Sequence, residues 1–313
     1  MAQVQNAFDT YEATADREDL SNIIYNISPM QTPFMSSIGT KNVKNVLFEW
    51  QTENLPTPSG TGQLEGFDLT GSRAAPTLTS RVKNVCQISY RDATVTGSQE
   101  ASDAAGKKSE MAHQLAIMAK ALKRDMEEAL CQNNAKNEGN VTTARQTRSF
   151  EAWITSNKSR GAGGADGTDT TAATDGTPRD LTEDLLKDVL QDMFANGAEP
   201  NLAICGPHNK GVISGFTGRS QARQFVDANT VEASVAIYSS DFGELKIVPS
   251  NRSRERSLLL VDPEFAKVSY LRNFETIDIA TIGDAETKMI VAEYGLEVSN
   301  EAAHGIVADL NVS

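Results

Sequence analysis

Residues 102–133 carry the longest helical pattern in the chain, and this stretch most constrains the fold. It contains no proline, and its single glycine, Gly106, stands near the start. Charged residues, Glu127 and Glu128 among them, fall largely off the apolar stripe. The residues of the stripe recur three and four positions apart, so they share one face of a helix. They are Met111, Leu115, Met118, Leu122, Met126 and Ala129. The pattern predicts a rigid spine of roughly 40 Å packed on a core; the alternative is an adaptable methionine-rich groove.

Residues 43–97, before the spine, have the pattern of a long hairpin. The returning strand alternates apolar and polar residues, as a half-buried strand does, with Cys86, Ile88 and Tyr90 on the apolar side. Between the strands, residues 56–76 are rich in Gly, Pro, Ser and Thr, a composition that buries little surface alone. So long a loop inside a compact domain is usually functional. The apolar residues of this loop are Leu64, Phe67 and Leu69. If they are buried anywhere, we expect another subunit to bury them.

The first residues of the chain, 1–42, show no long periodic helix. Pro29 and Pro33 flank the run that ends at Phe34, and the residue before a proline is biased towards an extended conformation. We interpret this segment as an arm without a core of its own. Neighbouring structure, in the same chain or the next, must hold it, and Phe34 is a further candidate for a contact between subunits.

The second half of the chain mixes helices and strands. Residues 156–178 are a low-complexity stretch of Gly, Thr, Asp and Ala, predicted to be a flexible, exposed loop. Asp180 is expected to cap a helix, with Glu183 three residues on. A buried strand at 202–205 and a short helix from Pro207 follow. The remaining strands are predicted at 235–238 and 244–248, which form a hairpin, and at 258–261, 267–270, 276–280, 288–294 and 306–310.

Charge and composition exclude several classes of function. The formal net charge is −13, whereas proteins that grip nucleic acid cluster Lys and Arg. No apolar run approaches the roughly 18 residues of a membrane span, and the polar N-terminus lacks the pattern of a secretory signal. We therefore expect a protein made in the cytoplasm. Its scattered cysteines are expected to be buried, reduced thiols: Cys86, Cys131 and Cys205.

The sequence contains no recognisable catalytic or metal-binding constellation. It lacks a nucleophile elbow, an HExxH motif and a phosphate-binding loop, and the run GAGGADG lacks the dinucleotide-binding spacing. A zinc site needs several ligands that converge on one point. The three histidines lie in unrelated segments of the sequence, at His113, His208 and His304. Asp166, Asp169 and Asp175 could chelate calcium but do not follow the EF-hand order. We therefore predict a protein that is not an enzyme and needs no cofactor or metal.

Two stretches of the chain carry the pattern of a known family. The first is DREDLSNIIYNISPMQTPFMSSIG, residues 16–39. The second begins at FGELKIVPSNR, continues through LLLVDPEFAKVSYLRNF, and extends to residue 310. Both resemble the major capsid proteins of tailed bacteriophages, in the group typified by an elongated-head podovirus of Escherichia. The middle of the chain matches only in the order of its parts.

This resemblance implies an α+β fold of the Hong Kong 97 type. An N-terminal arm would occupy residues 1–42, and an extended loop that reaches a neighbouring subunit would occupy residues 43–97. The spine helix with the first part of a peripheral domain would span residues 98–149. An axial domain would follow at residues 150–257, and the returning strands of the peripheral domain at residues 258–313. In the type member of this fold, a covalent cross-link between subunits joins a lysine and an asparagine near a buried glutamate. We do not predict this cross-link here, because residues 56–76 of the loop contain no lysine.

The resemblance also implies a location and partners. The chain would assemble with itself into hexamers and pentamers of an icosahedral or elongated head within a virion. It would meet a portal protein, with a scaffolding or cement protein as a further candidate partner. Packaged double-stranded DNA would lie nearby without sequence-specific binding, and no membrane would be involved. The alternatives are an encapsulin-like compartment shell, which shares the fold, and an unrecognised hydrolase, which should form a small defined oligomer.

Overall fold

The computed structural model describes residues 32–53, 60, 62, 64–67, 78–102, 109–216, 237–281 and 283–312. The helices of this part are α1 (Pro33–Ser37), α2 (Gly97–Ala101), α3 (Glu110–Cys131), α4 (Phe150–Trp153), α5 (Glu183–Ala195) and α6 (Pro207–Ser214). Its strands are β1 (Gly39–Asn42), β2 (Leu47–Thr52), β3 (Ser80–Val85), β4 (Gln87–Thr96), β5 (Asn157–Ser159), β6 (Leu202–Cys205), β7 (Ile237–Ser240), β8 (Gly243–Pro249), β9 (Leu258–Val261), β10 (Ala266–Ile279), β11 (Ala285–Val298) and β12 (Gly305–Val307). The fold is α+β, as predicted.

A four-stranded sheet in the order β1-β10-β11-β4 lies against the spine helix α3. The helix buries Leu122, Met126 and Leu130 in a core shared with β10 and β11. Met111 packs near Ala93 and Val95 of β4 in a smaller cluster. The methionine-rich face therefore forms core, as predicted, and does not form an open groove.

A six-stranded sheet in the order β5-β12-β9-β6-β8-β7 separates two hydrophobic cores. Residues of β6 and β9 are buried on both faces. Ile204 and Leu259 join the core of the spine, whereas Ala203 and Leu260 join the core under α5. The apolar runs predicted at 202–205 and 258–261 are therefore confirmed as strands. The expected boundary between residues 257 and 258 does not divide two sheets, because β9 pairs directly with β6.

The spine begins later than its periodicity predicted. Ser109 caps it by accepting a hydrogen bond from the Ala112 N–H, and the helix ends at Cys131. A separate short helix, α2, stands before it, and residues 103–108 lie outside the described part. Since the hydroxyl of an N-cap residue takes the place of a missing helical acceptor, Ser109 fixes the start that the apolar stripe left open.

The face of β4 differs from the prediction. Its apolar alternation was expected to mark a buried face, yet Ile88 and Tyr90 are 47% and 61% exposed. The opposite face meets the spine through Ala93 and Val95, which are buried. The period-two pattern is real, but the spine covers the other side of the strand.

The low-complexity segment 156–178 is fixed in place rather than flexible as predicted. It contributes β5, which pairs in parallel with β12. The carboxylate of Asp309 accepts hydrogen bonds from the Gly161 N–H at 2.9 Å and the Gly176 N–H at 2.8 Å. A Cβ at Gly161 would lie 2.2 Å from the Thr177 carbonyl oxygen. The glycines that suggested disorder thus allow two backbone segments to close around one buried acid.

Smaller predictions are refined in the same region. The cap of α5 is Thr182, whose side chain accepts from the Leu185 N–H, and not Asp180. Pro207 does open a helix, α6. The hairpin predicted before residue 249 is observed as β7 and β8, paired antiparallel. Strands predicted at 267–270 and 276–280 form one strand, β10, with irregular register near Arg272.

The ribbon β2–β3 rests on the sheet at a glycine of β11. Leu47 pairs with Val85 at the base of the ribbon, so the predicted hairpin is confirmed in its described part. At Gly295 a Cβ would lie 2.7 Å from Cε1 of Phe48 and 2.8 Å from the Val85 carbonyl oxygen. Any side chain at this position would push the ribbon away from the sheet.

Gly295→Ala is therefore expected to destabilise the subunit by about 1–3 kcal/mol, the usual cost of overpacking a core. Urea unfolding followed by tryptophan fluorescence measures the change. Gly211→Ala is the control, because Gly211 lies in α6 with no atom within 4 Å of the added Cβ. That variant should be neutral or stabilised by up to about 1 kcal/mol. Equal stabilities of the two variants would contradict the close approach at Gly295.

Candidate assembly surfaces

The root of the extended loop is held rigidly. Trp50 stacks on Phe48 with ring centroids 5.8 Å apart and lies 5.6 Å from the ring of Trp153. On the neighbouring strand, the buried Asn84 donates to the Leu296 carbonyl at 2.6 Å and accepts from the Arg148 N–H at 3.0 Å. A loop that leaves such a root starts from a fixed position and direction.

Beyond this root, apolar side chains stand in solvent. Leu64 is 85% exposed and Phe67 is 56% exposed, and Leu69 lies outside the described residues. Leu78, at 83%, belongs to the same group and was missed because it lies just past the low-complexity stretch. Burying a leucine or phenylalanine side chain contributes about 1.5–3 kcal/mol of stabilising free energy. The single subunit does not gain this free energy from its loop, whereas a contact that buried these side chains would.

Phe34 has a different place from the one expected. Its side chain is fully buried in the chain's own core, where its ring meets Phe150 edge-on at 5.1 Å. No part of that side chain remains for a neighbouring subunit. The expectation for Phe34 is therefore corrected: α1 is held by its own chain.

A buried carboxylate on the spine holds α1. Oε1 of Glu127 accepts from the Phe34 N–H at 2.8 Å, and Oε2 accepts from the Met35 N–H at 2.9 Å. The side chain is fully buried, and burial raises its pKa to about 7 even though the two backbone hydrogen bonds act in the opposite direction. The sequence pattern placed Glu127 on the solvated side of the spine. The only hint to the contrary was its position one turn before Leu130.

The aspartates considered as calcium ligands are all paired with cations. Asp166 bonds Lys158 and Arg160, and Asp169 bonds Lys136. Asp175 accepts from Arg254 and lies 3.2 Å from Arg256, and the hydrogen bond from Arg254 holds its pKa below the ordinary value. These ion pairs fasten the low-complexity segment to the rest of the subunit. Across the described residues, no group of three potential ligands could hold a metal ion.

The histidines and cysteines do not converge. His113 lies on α3 and His208 on α6. His304 is buried, its Nδ1 accepts from the Asp262 N–H at 3.2 Å, and burial lowers its pKa to about 4. The thiols are free and buried, as predicted, and burial raises the pKa of Cys205 to about 11. These groups have the environments of structural residues.

Comparison with solved structures identifies the fold. The chain is similar to the capsid of a native GTA particle, with a TM-score of 0.67 and 12% identity over 96% of this chain and 98% of that one. Structures from Microbacterium phage Oxtober96 and Mycobacterium phage Bobi give TM-scores of 0.65 and 0.64, each at 13% identity over 97% of this chain and 99% of theirs. Together with the spine, the two sheets and the extended loop, these likenesses show an α+β fold of the Hong Kong 97 type.

Comparison with known sequences narrows the class. A stretch of 130 residues is 28% identical to the major capsid protein of Escherichia phage Phieco32 and covers 41% of this chain. It spans 36% of that relative's length, about a third. The model of the SU10 major capsid protein family matches residues 3–311. The chain belongs to this family.

Family membership settles the broad class of protein. A capsid protein is a structural component of the virion, so the predicted class and location are confirmed. Neither the encapsulin-like compartment nor the hydrolase receives support from the comparisons. Among the described helices, none is long and apolar enough to cross a membrane.

Glu127→Gln is expected to remove part of the pH dependence of stability. Burial raises the pKa of this carboxyl from its ordinary value of 4.5 to about 7 in the folded chain, so the folded state binds the proton more tightly. Wild-type stability should therefore fall as pH rises from about 4.5 to about 7, by about 3 kcal/mol from this group. The glutamine variant lacks that fall. Urea unfolding at about pH 5 and about pH 8 measures it.

Glu128→Gln is the matched control for this experiment. It removes a carboxyl from the next residue of the spine, whose side chain is 50% exposed and lies 3.6 Å from Arg252. The control should keep the pH dependence of the wild type. If Glu127→Gln also kept it, the buried carboxyl would not titrate in this range.

Proposed function

We propose that the chain assembles with copies of itself into hexamers and pentamers, which form an icosahedral or elongated head around double-stranded DNA. The observation that carries this proposal is the family match over residues 3–311. The physical support is the contrast between a subunit with two buried cores and a loop whose Leu64 and Phe67 stand in solvent. A surface of this kind is typical of a protein that completes its burial by association.

The parts of the subunit fit a division of labour in the shell. Residues 1–42 would be the N-terminal arm, 43–97 the extended loop, and 98–149 with 258–313 the peripheral domain around the spine. Residues 150–257 would form the bulk of the axial domain, completed by β9 and β12 through their pairing in the six-stranded sheet. The axial domain would surround the local five- and six-fold axes.

The proposed partners follow from this role. The candidate partners are a portal protein and, as separate chains, scaffolding or cement proteins. DNA would lie close by without sequence-specific contacts, in keeping with a net charge of −13, because a surface poor in clustered cations repels phosphates. No cofactor is proposed.

Leu64→Ser combined with Phe67→Ser is expected to spare folding and to prevent shell formation. Both side chains are exposed in the subunit, so circular dichroism should be unchanged, whereas the lost apolar contacts should lower shell yield about tenfold or more. Deletion of residues 56–76 should have the same effect. Negative-stain microscopy with light scattering measures both.

Val141→Ser is the control, since Val141 is also an exposed apolar residue but lies outside the loop and the axial domain, between the spine and α4. That variant should form shells as the wild type does. Intact shells from the loop variants would contradict the proposed role of the loop.

A further inference from the structure

Strand β12 is inserted between two strands from distant parts of the sequence. It pairs in parallel with β5 on one side and antiparallel with β9 on the other. The strands β9-β6-β8-β7 are contiguous without it. Residues 305–311, which contain β12 and are here called the strap, therefore join β5 to a sheet whose larger part is already paired.

The strap contributes to both hydrophobic cores. Ile306 is buried in the core of the spine, whereas Val307 is buried in the core under α5. Gly305 passes close beneath α5, where a Cβ would lie 2.6 Å from Sδ of Met193. Because successive residues of a strand point to opposite faces, a strand this short can reach both cores when it is seated.

Asp309 fastens the strap to two stretches of the low-complexity segment. Its Oδ2 accepts from the Gly161 N–H and its Oδ1 from the Gly176 N–H, so both carboxylate oxygens are used. Its main-chain carbonyl accepts from the Arg179 N–H at 2.8 Å, and Nη2 of Arg256 lies 3.7 Å from Oδ1. One residue thus holds the ends of both stretches against the strap.

The backbone of Asp309 is in a disfavoured conformation. Its φ is 60°, and it is the only non-glycine residue with a positive φ in the part of the chain that the structure describes. Such a conformation persists only where the surrounding contacts hold it. If those contacts were broken, the backbone at Asp309 would relax, and this relaxation would favour release of the whole strap.

Contacts that do not involve the strap set the limits of the region that depends on it. The Asn133 side chain donates to the Ala173 carbonyl at 2.6 Å and accepts from the Ala173 N–H at 2.9 Å. Lys136 pairs with Asp169 at 2.5 Å. The middle of the low-complexity segment is therefore anchored near the end of the spine, and β9 keeps its pairing with β6.

We propose that the strap opens and closes as one unit with residues 157–161 and 176–179 while the rest of the six-stranded sheet stays folded, and that only the closed subunit enters the shell. The first half depends on the contacts above, and the second half rests on the proposed function. Opening leaves one edge of β9 unpaired, and the free edge of an apolar strand pairs with strands of other chains. The closed strap covers that edge and so prevents a competing association.

Native-state hydrogen exchange followed by mass spectrometry tests the opening unit in the full-length wild-type chain. The free subunit is measured in low urea, at a protein concentration too low for shells to form. We expect the strap and residues 157–161 and 176–179 to share one opening free energy that is lower than that of β6, because a cooperative local unit exchanges together. Three unrelated opening free energies, or a value equal to that of β6, would overturn the first half of the proposal.

Asp309→Asn should loosen this unit specifically. Asparagine tolerates the left-handed conformation, but one of the two glycine N–H groups would then face an amide NH2 in place of an oxygen. Exchange of all three stretches should become about tenfold faster or more, because a buried donor is left without an acceptor, while exchange of β6 stays unchanged. Faster exchange at the two glycine amides alone, or spread through β6, would contradict a cooperative strap.

Two further variants separate the strap from general effects of substitution. Gly176→Ala disturbs the same junction sterically, because its Cβ would lie 2.5 Å from the Gly161 carbonyl oxygen, and it should accelerate exchange in the same three stretches. Asp188→Asn is the control, since it removes a carboxylate from an exposed position on α5. It should leave the exchange pattern of the wild type unchanged.

Exchange in assembled wild-type shells tests the second half of the proposal. An assembly that accepts only the closed form must stabilise that form, so exchange in the strap should be about tenfold slower or more in shells than in free subunits, relative to β6. Equal relative exchange in the two states would overturn the link to assembly. If the wild-type chain formed no shells, the proposed function would fail, whereas the result for the free subunit would stand.

Discussion

The burial of strand β11 is the constraint on which the rest of the subunit depends. It pairs with β10 on one side and β4 on the other, and its residues from Ile290 to Val298 are buried without interruption. Two of them are acids, and a buried charge is tolerated only when it is paired. Glu293 is therefore met by Arg145 and Arg272, and Glu297 by Lys41 of β1. Through these pairs, β1, the turn at 138–145 and β10 are tied to one strand.

This central strand also explains how the extended loop can project while its root stays fixed. The spine covers one face of β11, and Phe48 lies over the other face at Gly295, where only a glycine leaves room. The direction of the ribbon is thus set by packing within the subunit. A loop that leaves a rigid root costs less to order on binding than one leaving a flexible root, which suits a contact repeated throughout a shell.

The sequence predicted those elements whose patterns are satisfied within the subunit. The spine and the strands at 202–205 and 258–261 follow from periodicity and apolar runs, since helix and sheet bury them directly. The low-complexity segment was misjudged because Asp309, more than 130 residues away, supplies the acceptor for Gly161 and Gly176. The burial of Phe34 and Glu127 was not predicted for the same reason. The Phe34 N–H donates to the Glu127 carboxylate, and a local sequence pattern does not reveal a contact between residues so far apart in the chain.

The alternation on β4 shows a further limit, of a different physical kind. A period-two pattern shows that apolar side chains share one face of a strand. It does not specify which part of the same chain, or which other molecule, covers that face. In β4 the helix covers the face with Ala93 and Val95, whose small side chains allow close packing, and leaves the bulkier Ile88 and Tyr90 outside. In a protein that folds alone this arrangement would waste apolar surface and favour aggregation. In a capsid subunit, which assembles with copies of itself, the same surface remains available for a contact with a neighbouring copy.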